Sequence, residues 1–127
     1  MKAYTDIEQS KKLVEILPLE SADMCWCNSS VKGVNYTDEF TVHTHTAKEL
    51  KEVFDGVFNH WDKYWELIPC WSLAALLDLL PDTMLGKDKE GYVAMIETMG
   101  SDLVTEAKNP IDACYEMIIK LNKQNLL

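Results

Sequence analysis

The 127-residue chain contains no arginine: its twelve basic residues are all lysines, set against twenty-one acids, for a formal net charge of −9. Phosphate and base-edge recognition lean on arginine's bidentate fork and on a basic surface, so direct nucleic-acid binding is not expected. The acids are spread along the chain rather than gathered in a tail, and their ordinary role is a solvated surface. Long apolar runs are missing too. The longest, LIPCWSLAALLDLLP over 67–81, is interrupted by Pro69, Asp78 and Pro81 and falls short of the ~20 residues a spanning helix needs, so no membrane insertion is expected. The opening MKAYTDIEQSKK is polar and lacks the apolar stretch of a signal peptide. A cytoplasmic setting is the expectation, in which Cys25, Cys27, Cys70 and Cys114 would be reduced thiols.

With 47% hydrophobic residues, the chain can bury one core, and its length suits a single domain over 1–127. Thr5-Asp6-Ile7-Glu8 has the form of a capping box. It opens a helix whose stripe is Ile7, Leu13, Val14 and Leu17, ended by Pro18. ADMCWC (22–27) and FTVHTH (40–45) alternate as strands do, and NSSVKGVNYTDE between them has loop composition. From Thr46 or Ala47, the spacing of Leu50, Val53, Phe54, Val57, Phe58 and Trp61 predicts an amphipathic helix to about Glu66. Ser72 then caps a short helix closed by Pro81. That helix is apolar nearly all round, so burial on every side is expected. GYVAMIET (91–98) and LVTEA (103–107) read as strands of an antiparallel meander. Asn109-Pro110 starts a last helix with Ile111, Cys114, Ile118 and Leu121 inward. The pattern predicts an α+β fold, about four helices packed on a small antiparallel sheet.

Three segments, YTDIEQSKKL with EILPLESADM, IPCWSLAALLDLLP, and NPIDACYEMIIKL, together resemble short uncharacterised proteins of phages and mobile elements from Bacteroides-type gut bacteria. The resemblance covers roughly half the chain. It implies a phage or mobile-element origin in a bacterial cytoplasm, and it carries no activity or site residue across. It stops over about 28–66, which reads as a variable insert made of a loop and an amphipathic helix.

Chemistry-bearing residues are few. On paired strands Cys25 and Cys27 would share a face with His43 and His45, a Cys₂His₂ set of the kind that holds zinc. The C-x-C and H-x-H spacings are unusual for such a site, and two small buried thiols beside two surface histidines is the plainer structural reading. Cys70 or Cys114 with His60 makes a weak nucleophilic pair, because Cys114 lies on a buried stripe and Cys70 adjoins the apolar run. No Gly-rich phosphate loop, GxSxG or HExxH occurs. No enzyme and no cofactor is expected. Trp61, Tyr64, Trp65 and Trp71 form an aromatic cluster; its first three members are candidate partner contacts, since tryptophan and tyrosine anchor interfaces, and filling the core between the second and third helices is the cluster's structural alternative. The leading expectation is a non-enzymatic accessory protein acting on a protein partner or as a homodimer. A zinc module is the alternative, and an acidic DNA mimic that inhibits a host enzyme is a weaker one.

Overall fold

A computed structural model describes residues 2–28, 40–57, 66–98 and 100–127. Among them are four α-helices and two three-stranded antiparallel sheets, an α+β architecture. The strands sort into two sheets where one was expected, and the chain divides into two units, Asp6–Trp71 and Met1–Thr5 with Ser72–Leu127.

In the continuous unit, helix α1 spans Ile7–Val14. Its capping box lies one residue later than the sequence suggests. Asp6 accepts from the Gln9 amide at 2.8 Å, and the Gln9 side chain accepts from the Asp6 amide at 3.1 Å. The two overlapping pairs, Thr5/Glu8 and Asp6/Gln9, have identical spacing; Thr5 is instead buried. The helix stops at Val14, and a 3₁₀ turn follows at Leu19–Ser21. Strand β1 (Met24–Asn28) is central in its sheet, with β2 (Thr41–His43) on one side and β3 (Glu66–Cys70) on the other. Between them in the sequence lies α2, Ala47–Val57. Thr46 and Glu49 form its capping box through reciprocal side-chain contacts at 3.1 and 3.3 Å.

Strand β3 corrects the expectation of a helix reaching Glu66. Glu66 pairs with Asn28, and the ladder continues through Ile68 opposite Trp26 to Cys70 opposite Met24. Pro69 had marked the segment as a helix stop. An edge strand accepts a proline because only one side of its ladder is in use, and among the described residues β3 has β1 as its sole strand neighbour. Trp71, fully buried, closes this unit. Its indole N–H donates to Ser21 Oγ at 3.0 Å, and that hydroxyl donates to the Pro18 carbonyl at 2.5 Å. The tryptophan thereby fastens the 3₁₀ turn to the end of β3.

The second unit joins two stretches far apart in sequence. Tyr4 forms an antiparallel bridge with Ser72, and the Lys2 ammonium contacts the Asp112 carboxylate at 2.8 Å. Helix α3 spans Leu73–Leu79 with Ser72 as its cap, accepting from the Ala75 amide. It is not enclosed on all sides. Ala75, Leu76 and Leu80 are buried, Leu73 and Leu77 are half-buried, and Ala74 and Asp78 face water. One aspartate and one alanine suffice to make an outer face on so short a helix.

Strands β4 (Met84–Lys87), β5 (Tyr92–Ile96) and β6 (Leu103–Ala107) form a meander with β5 in the centre. The hairpin between β4 and β5 turns on Asp88, whose carboxylate accepts from the amides of Glu90 and Gly91. Helix α4 spans Pro110–Lys123 and is capped by Asn109, which accepts from the Asp112 amide at 2.9 Å. It buries Ile111, Cys114, Met117, Ile118 and Leu121, whose large aliphatic members are each worth about 1.5–3 kcal/mol of transfer free energy. Thr105 Oγ1 donates to the Ala113 carbonyl at 2.7 Å, which fixes α4 on the face of the sheet that carries Leu103, Thr105 and Ala107. The helix ends in a Schellman motif. Asn125 takes the left-handed conformation (φ 56°); its amide donates to Asn122, and the Leu126 amide donates to Leu121 at 2.9 Å.

Candidate functional site

The cysteine and histidine candidates fall on the β1–β2 pair. The register sets Cys25 opposite His43 and Cys27 opposite Thr41, so Cys25, Cys27 and His43 share a face by strand alternation. His45 lies beyond the end of β2 and is exposed. The polar atoms are directed elsewhere: Cys25 Sγ donates to the Trp26 carbonyl at 3.3 Å, and His43 Nε2 lies 3.2 Å from the Thr41 hydroxyl. Among the described residues no group of three or more histidine, cysteine, aspartate or glutamate side chains is arranged to hold a metal ion. Two of the four candidate ligands are therefore opposed across a ladder, and the full set does not converge.

All four cysteines are buried and none forms a disulfide. Burial pushes the Cys25 thiol up to about 12, with the neighbouring Cys27 thiol adding to the shift. Burial alone raises Cys114 to about 11 and also raises Cys27. Burial thus favours the protonated, weakly nucleophilic form of Cys25, Cys27 and Cys114. In this state they act as small apolar core residues.

Trp61, Tyr64 and Trp65, together with His60, lie outside the described residues. The surface feature of the first unit is one that the sequence did not announce, an open groove of about 950 Å³. Its apolar lining is Val14 from α1, Leu19 and Ala22 from around the 3₁₀ turn, Ala47 from the start of α2, and Leu67 and Pro69 from β3. Lysines and glutamates of α2, with Glu20 and Thr46, complete the lining. Leu19 is 56% exposed. The groove exists because α1, the start of α2 and β3 meet around it, so a reading that finds no strand at Glu66–Cys70 misses it. The visible signal was Leu19 itself, an apolar residue placed after Pro18 where no helical stripe needs one. Among the described residues no helix is long and apolar enough to cross a membrane. Comparison of the chain with protein-family models, curated proteins and solved structures gives no match.

Proposed function

We propose that this chain is a non-enzymatic accessory protein of a phage or mobile element that works in a bacterial cytoplasm through protein–protein contacts. The observation that carries the reading is the groove beside Leu19, whose lining mixes apolar side chains with charged ones of both signs and includes a large aliphatic side chain left half in water. Protein interfaces have this composition, a few apolar anchors ringed by polar side chains. The resemblance of the terminal and central segments to phage-encoded proteins supplies the biological setting.

The test is co-purification of the full chain from a Bacteroides host, in parallel with a Leu19→Glu variant of unchanged circular dichroism. A stoichiometric partner that disappears with the variant supports the reading. A monomer on size exclusion that captures nothing, or captures the same proteins with either version, refutes it.

A further inference from the structure

The face of the β4–β5–β6 sheet turned away from α4 carries a row of apolar side chains in register across all three strands. Met84 is opposite Met95, and Met95 is opposite Val104. Met84 is 62% exposed and Val104 39%. Alternation along the strands places Glu106 beside the row on β6. It places Glu97 and Asp102, which follow β5 and precede β6, at its other end. All three acids are exposed. Lys87 lies over the Tyr92 ring at 5.9 Å and Lys2 reaches Asp112. Lys108, exposed and two residues past Glu106, adjoins that side by the same alternation, and Lys120 donates from α4 to the Val104 carbonyl, so the three carboxylates outnumber the lysines near the row.

We propose that this face docks a basic amphipathic helix of a partner protein, a specific occupant for a chain already read as acting through protein contacts. Charge selects the partner: an apolar row flanked by carboxylates on the same face complements apolar anchors flanked by lysine or arginine. Size agrees. Strands about 4.8 Å apart give a row about 10 Å across, the width of one helix. A second copy of the chain fits poorly, because it would bring the same carboxylates face to face. The patch, one short strand long and three strands wide, also covers only a few hundred Å², against the roughly 800 Å² per partner of a stable dimer.

The probe is a short helical peptide of leucine and lysine at i, i+3, i+4 spacing, titrated against the full chain at low salt; a glutamate-for-lysine version is the control. The lysine peptide is expected to bind wild type and to weaken at least tenfold on Met84→Glu/Val104→Glu. That substitution adds negative charge, so mere electrostatic attraction would strengthen binding and the two explanations separate. Glu97→Lys/Asp102→Lys/Glu106→Lys is expected to reject the lysine peptide and take up the glutamate one. Equal binding to wild type and to the double variant, or self-association that the double variant abolishes, overturns the proposal. Should Leu19→Glu remove a cellular partner while these sheet variants bind every probe as wild type does, the protein-contact reading stands and this inference alone fails.

Discussion

Replacing Gly91 by alanine tests the β4–β5 hairpin at its tightest point. Gly91 has a φ of +156°, a conformation that side chains disfavour, and a Cβ built there would lie 2.3 Å from the Ala107 carbonyl oxygen. Real contacts of that kind do not fall below 3.0 Å, so the backbones must part by about 0.7 Å in a close-packed setting. Ala107 cannot easily retreat, because it is paired with Tyr92 at the end of the β5–β6 ladder. The disfavoured dihedral costs about 1–3 kcal/mol and forced overpacking about 1–3 kcal/mol, against a gain of at most about 1 kcal/mol from a stiffer unfolded chain. A net loss of about 3 kcal/mol is expected. In urea, with a slope of roughly 1–3 kcal/mol per molar, the midpoint falls by about 1–3 M without a change of slope. At Gly86, in the same sheet, an added methyl group would meet none of the described residues within 4 Å, and Gly86→Ala should stay within about 0.5 kcal/mol of wild type. Far-UV circular dichroism through a urea titration reads both. A Gly91→Ala protein as stable as wild type, or a Gly86→Ala protein equally damaged, refutes the reasoning.

Asn125→Gly should raise stability by a few tenths to about 1 kcal/mol, and Asn125→Ala should lower it similarly, because the Schellman motif needs a left-handed residue there; thermal melts decide between these signs. Folded Cys25 and Cys114 hold their protons to about 12 and about 11, against an ordinary value of 9.0. Below pH 9 both states keep the proton and these thiols contribute no pH dependence. Above it the unfolded chain releases protons that the folded chain retains, so stability falls between pH 9 and 11 by about 1.4 kcal/mol per unit for each thiol. Cys114→Ala should show a shallower decline across that window, and an unchanged slope contradicts the assignment. Ser21→Ala removes the acceptor of the Trp71 indole and should cost about 1–3 kcal/mol, seen as a lowered urea midpoint; an unmoved midpoint contradicts the role assigned to this bond.

What the sequence made legible was local and punctuated. Asn109-Pro110 and Ser72 cap the helices they were expected to cap, and the residues 91–98 and 103–107 contain β5 and β6 as a hairpin. What escaped depended on partners. MLGK has no alternating pattern, and β4 exists because β5 offers it a ladder. ELIPC carries a proline and directly follows a helical stripe, so only its pairing with β1 reveals a strand. The candidate site follows the same rule. Alternation of both segments made a shared face for Cys25, Cys27 and His43 legible, whereas the register and the divergence of His45 were not, because nothing in FTVHTH announces that β2 ends at His43. The groove was hidden with β3, whose Leu67 and Pro69 form part of its lining.

The strand-like bridge of Tyr4 to Ser72 and the Lys2–Asp112 ion pair tie residues synthesised before Asp6–Trp71 to residues synthesised after it. Asp6–Trp71 is made in one continuous stretch, whereas residues 2–5 of the other unit have no native partner until Ser72 and Asp112 have been synthesised. Deleting residues 2–5 should therefore injure the unit that follows Trp71 and leave Asp6–Trp71 able to fold.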